Sequence, residues 1–187
     1  MPIYLPKRIV QMTPTMEAPL FFIAGPVRGG GDWQREFIRA IIARSPTANI
    51  ACPCRWGADH PLHHYFHEPF SQAPNRQLHW ERHYMEQAAI GYGPGCVIFD
   101  LQLESKQSPH PGPEPYAMDT RRELGKFTAL LKLKRARMVV GGHPDFHGLS
   151  VIRDELDEAY GKPFPFYTNA EDLVSADFVA AQQCRFD

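Results

Sequence analysis

Two acidic residues stand where a protein can use them. Asp100 closes the apolar run GCVIFD, and Glu123 lies early in the stretch Tyr116 to Leu131, YAMDTRRELGKFTALL. The first stretch predicts a buried strand and the second a helix start, with both carboxyl groups expected to open into one cleft. Asp119 adds a third acid beside them. Carboxyl pairs serve as nucleophile and as general acid or base. A carboxylate at a helix start is held ionised by the helix dipole, as a nucleophile should be. Structural alternatives stand beside these roles. Thr120-Arg121-Arg122-Glu123 fits the capping box, in which the glutamate folds back onto the N-cap amide. Gly125, read as first-turn, is a costly helix residue unless something approaches closely there. Asp100 by itself could cap a loop.

A second reactive stretch is GPVRGGGDW. Three consecutive glycines and Arg28 precede a helix amino terminus, where backbone N–H groups and the dipole favour an anion. Gly25, Pro26, Arg28, Gly29, Gly30, Asp32 and Trp33 are the candidate substrate-binding residues. The stretch matches neither GxGxxG nor the P-loop pattern, so a dinucleotide or nucleoside triphosphate has no support, and no cofactor is expected. A surface turn with a solvated arginine is the alternative. His60, His63, His64 and His67, with Cys52 and Cys54 nearby, raise a zinc site, but the spacing matches no standard finger and CPC is not CxxC. An aromatic lid or solvated loop is the preferred reading, and no metal is assigned. His79 and His83 read as surface positions, and GGHPDF as a loop bordering the site.

These residues need a scaffold, and the hydrophobic pattern supplies one. LFFIAG, ANIACP, GCVIFD, RMVVGG and FPFYT predict five strands. Between them fall helical periods: one from Trp33, N-capped by Asp32, with Trp33, Phe37, Ile38, Ile41 and Ile42 on one face; then QLHWERHYMEQAAI, Thr120 to Lys134, and VIRDELDEAYG. AEDLVSADFVAAQQC forms a last helix. Strands alternating with helices predict right-handed βαβ units and a parallel sheet in a single α/β domain over residues 1–187. Residues 1–18 read as an arm or edge segment, and 55–76 and 101–117 as long active-site loops.

Composition narrows the classes further. A net charge of -1 offers no bulk field for nucleic acid or anionic membrane. No apolar run approaches the length of a membrane span, and the amino terminus does not read as a signal peptide. The four cysteines make no dense disulfide framework, so a cytoplasmic setting is expected.

With these stretches in hand, the chain resembles the nucleoside 2-deoxyribosyltransferase-like proteins. The resemblance lies in FIAGPVRGGGDWQ, in HWERHYMEQA (similar to that family's Trp-Glu-containing helix), and in GCVIFDLQLES, TRRELGKF and VVGGHPDF. TRRELGKF looks like the family's ELG signature. Together they cover about Leu20 to Phe146 in the expected order. The resemblance implies a flavodoxin-like (Rossmann-like) three-layer sandwich and cleavage of a nucleoside's N-glycosidic bond. It implies Glu123 as nucleophile, and Asp100 as holder of base or sugar and aid to proton transfer, with Asp119 a weaker candidate for that work. PVRGGGD also looks like the loop of the related 2'-deoxynucleoside 5'-phosphate N-hydrolases, where glycines and arginine face a phosphate, so transferase and hydrolase both stand. A small-molecule nucleoside or nucleotide and a homodimer or larger homo-oligomer are the implied partners. HPLHHYFHEP and KQSPHPGPEP depart from the family. A non-catalytic nucleotide-binding module on the same fold is the alternative function.

Overall fold

The five apolar runs form strands, and the amino-terminal arm contributes a sixth. The computed structural model describes residues 3–4, 9, 12–53 and 74–182. In chain order the strands are β1 (Ile3–Tyr4), β2 (Leu20–Ala24), β3 (Asn49–Ala51), β4 (Gly95–Leu101), β5 (Met138–Gly142) and β6 (Phe166–Tyr167). The helices are α1 (Trp33–Arg44), α2 (Pro74–Ile90), α3 (Met118–Lys132), α4 (Leu149–Tyr160) and α5 (Ala170–Gln182). All pairings are parallel and the strand order is β1-β3-β2-β4-β5-β6. Without β1 this is the flavodoxin-like order, in which the chain steps from β2 to one neighbour, β3, and then to the other, β4.

A parallel sheet needs helices on both faces, so its central strands lose their polar alternation. β2 and β4 are buried at every position. Leu20, Phe22, Val97, Phe99 and Leu101 pack with α2, α3 and α4, while Phe21, Ile23, Cys96 and Ile98 pack with α1 and α5. Two buried layers therefore hold the sheet between them. The arm expected at residues 1–18 joins this frame at the edge. Ile3 and Tyr4 pair with Ile50 and Ala51, the Tyr4 hydroxyl donates to Asn49 Oδ1 at 3.1 Å, and its ring stacks on Tyr84 of α2 at 5.4 Å.

Several boundaries move. The helix read as Thr120 to Lys134 is Met118–Lys132, and FPFYT shrinks to Phe166–Tyr167. Asp32 occupies the N-cap position of α1, but its side chain does not make the capping hydrogen bond. The loop read at 55–76 falls mostly outside the described residues, with His60, His63, His64, His67 and Cys54; its last positions belong to α2. Among the described residues, no helix is long and apolar enough to cross a membrane.

One polar group sits badly in this core. Asp177 of α5 is 0% exposed, and its carboxyl oxygens meet no nitrogen or oxygen donor among the described residues, only the weakly donating Cys96 thiol beside it. Burial raises its pKa well above 3.8, and the adjoining Cys96 thiol is raised as well, first by burial and then by Asp177. Folding therefore favours the protonated carboxyl: the Asp177 contribution to stability is fully present below the unfolded value near 3.8 and is lost as pH climbs toward its raised folded value. Asp177→Asn removes that titration. Unfolding free energies from urea titrations at pH 4 to 8 should lose less stability with rising pH than in the parent, by up to about 1.4 kcal/mol per pH unit; an unchanged slope refutes the assignment.

Candidate active site

The carboxyl ends of β2 and β4 lie side by side where strand order reverses, the place in such sheets where ligands bind. The loop after β2 and the loop after β4 meet above them. Ser105 N–H donates to the Gly29 carbonyl at 2.6 Å, and Gly29 packs against the His110 backbone. Gly29 has φ +83, in the left-handed region, and a Cβ there would lie 2.8 Å from His110 N. Gly30 leaves no room beside the Pro26 carbonyl, which also accepts the Trp33 indole N–H at 3.0 Å. Much of this loop's glycine content is thus accounted for by its fit to its own chain. Arg28 remains 54% exposed and approaches Asp119 at 3.8 Å, tying the first loop to the start of α3. Asp32 is an exposed neighbour of Arg35, at 3.9 Å.

Asp100 is the buried acid of the site. At 2% exposure it is sealed except on one side, where it forms the wall of a cleft of about 680 Å³. Glu36, Trp33, Gln102, Tyr167 and Asn169 share that wall. Burial pushes its pKa up to about 7, and Glu36 adds to the shift, while the Gln102 amide opposes it by donating to Oδ2 at 2.7 Å. Side-chain alternation explains its direction. Asp100 shares the parity of Ile98, so it faces α1 and α5, whereas Phe99 and Leu101 face α2 and α3.

Glu123 approaches from the other layer. It is partly buried, and its pKa is raised to about 8, first by burial and then by Glu81 of α2 and by Asp119; Arg122 and Lys126 oppose the shift. Two expectations for Glu123 change. The chain enters α3 at Ala117 (φ 59), so Thr120 is not the N-cap and Glu123 lies too deep for a capping box. For the same reason Glu123 sits beyond the first turn, where the dipole effect has faded, and burial holds it protonated near neutral pH rather than ionised. Asp119 is the acid of the first turn.

The shared cleft is a third correction. The cavity that contains Asp100 does not contain Glu123, Asp119 or Arg28 in its lining, because strand parity sends Asp100 to one face of the sheet while α3 packs on the other. Asp100 lies at the end of β4, and Glu123 lies on α3, which packs on the other face of the sheet. Gly142 of the GGHPDF stretch does line the cleft, whereas His143 pairs outward with Asp145 at 3.8 Å. His79 is exposed, and His83 sits edge-on to the Tyr84 ring.

Sequence reasoning passed over Gln102, Tyr116 and Glu36. Gln102 repeats the parity of Asp100 two residues on, a usable signal; Tyr116 and Glu36 carried none. The Tyr116 hydroxyl donates to the Gln102 carbonyl at 2.9 Å, closing the base of the β4–α3 loop.

Two glycines test this geometry. In Gly25→Ala the new Cβ would sit 2.5 Å from Trp33 and 2.6 Å from the Asp100 carbonyl, both held in the core. Melting should show a loss of about 1–3 kcal/mol. Among the described residues nothing lies within 4 Å of a Cβ added at Gly125, so no close approach among them explains it. Gly125→Ala should stabilise the protein by about 1 kcal/mol; a loss would mean that something does approach there.

In comparisons with known proteins, the chain matches no protein-family model and no curated protein.

Proposed function

We propose that this chain cleaves the N-glycosidic bond of a nucleoside or nucleotide through a covalent glycosyl intermediate on Glu123. What supports the reading is a pair of carboxyls, the buried Asp100 at the end of β4 at the switch point and the partly buried Glu123 on the helix that follows that strand, with pKa values raised to about 7 and about 8. The substrate would lie across that end, with its base toward the Asp100 cleft and its sugar toward α3. A Glu123 carboxylate oxygen attacks the anomeric carbon as the bond to the base nitrogen breaks, and the electron pair leaves with the base. Asp100 in its acid form delivers a proton to that nitrogen. Water or a second base then displaces Glu123 from the sugar, giving up its proton to the now ionised Asp100, which completes hydrolysis or transfer. Arg28, 3.8 Å from Asp119 at the start of α3 and largely exposed, is available to a 5'-phosphate. A homodimer or larger homo-oligomer belongs to the same reading.

The working form has Asp100 protonated and Glu123 ionised, the reverse of the order of their pKa values of about 7 and about 8. Only on the order of one molecule in twenty holds that form at its best pH. Rate should climb as Glu123 ionises, level off between about 7 and 8, and fall as the remaining Asp100 proton is lost. Ribo- and deoxynucleosides and their 5'-monophosphates, followed by chromatography of free base, test it. Glu123→Ala should abolish base release and Asp100→Asn should slow it by about 10²–10⁴-fold. Arg28→Ala should raise KM for monophosphates and not for nucleosides. Base release that survives intact in Glu123→Ala removes the nucleophile.

A second reading, a non-catalytic nucleotide-binding module, is favoured by one observation: the cleft that holds Asp100 does not include Glu123. It predicts saturable nucleotide binding with no base released over hours.

A further inference from the structure

Gln102 stands between the two carboxyls in a way neither role has used so far. Its side-chain amide donates to Asp100 Oδ2 at 2.7 Å, and its carbonyl accepts the Tyr116 hydroxyl at 2.9 Å. Tyr116 immediately precedes Ala117, the left-handed residue from which α3 departs with Glu123 on it. One residue thus holds the buried acid with its side chain and the helix of the second acid with its main chain.

We propose that Gln102 is a positioning residue that orients the Asp100 carboxyl and ties it to the entry of α3. This rests on the catalytic reading for its purpose, though not for its geometry. An oxygen that accepts an amide N–H acts as the carbonyl-like atom of a protonated carboxyl. Gln102 therefore assigns the acid proton to Oδ1 and leaves that oxygen to face a substrate. It also stabilises the ionised form relative to the acid, since the same N–H binds the carboxylate more strongly. Among the described residues, the other charged or titratable groups around Asp100 are Asp32 just before α1, Glu36, Arg35 and Arg39 on α1, Tyr116 from the loop, and Tyr167 before α5. The Gln102 amide donates directly to the Asp100 carboxyl.

Gln102→Met keeps the length of the side chain and removes the donor. The carboxyl carbon resonance of Asp100, followed by NMR against pH, should titrate near 7 in the parent and higher in the variant. In the nucleoside assay, the ratio of rate at pH 9 to rate at pH 6 should rise at least about threefold, the effect of half a pH unit. A merely structural loss would scale both rates together. Gln102→Glu, nearly isosteric, serves if the Met variant does not fold, and should also raise the Asp100 midpoint by adding a like charge. Tyr116→Phe should lower kcat while leaving the Asp100 midpoint in place. An Asp100 midpoint that does not move in a folded Gln102 variant overturns the proposal, whatever the activity. A midpoint that moves in a protein that releases no base from any nucleoside sustains the positioning role and sinks the catalytic reading alone.

Discussion

The constraint from which the rest follows is that a wholly parallel sheet has no face to give to water. Both layers of this sheet are closed by helices, and the backbone groups of β2 and β4 are satisfied within the sheet. Polar side chains can then reach solvent only where strands end. Asp100 is the last polar residue before that boundary, and its position explains its character. Desolvation there outweighs the one amide that favours its charge, so the acid keeps a proton that a surface aspartate would have lost.

The same sheet that brings the loops together also sorts their side chains. Parity assigns Asp100 to the α1 and α5 layer, and α3 belongs to the other. A ligand using both carboxyls must lie across the strand end rather than sink into a pocket on either face. Such an arrangement leaves the connection between the layers to the β4–α3 loop. That loop is pinned to the glycine-rich turn by Ser105 and closed at its base by Tyr116.

Much of the architecture was legible because apolar runs and helical periods are local signals. LFFIA and GCVIFDL could hardly be anything but buried strands, and the alternation with helices implied parallel pairing. What could not be read was where α3 begins. The Thr-x-x-Glu spacing pointed to Thr120, but Ala117 takes the turn instead, in a left-handed conformation that composition does not announce. That shift of three residues moved Glu123 out of the dipole's reach, and burial, with Glu81 and Asp119, raises its pKa to about 8. The layer on which each acid falls was in principle readable from strand parity at Ile98 and Phe99. Of the partners of those acids, Gln102 was within reach of the same parity argument, but Glu36 and Glu81 were not, because α1 and α2 are set against these acids only by the tertiary fold.

β1 has only two residues, yet it covers the outer margin of β3. Its contacts reach further than its length: Cys52 N–H donates to the Tyr4 carbonyl at 3.0 Å, and the Tyr4 ring rests on α2. Trimming those residues would bare the amides and carbonyls of Asn49–Ala51 as a template for strand addition by another polypeptide. Tags fused at this end therefore bear on self-association of the chain as well as on its purification.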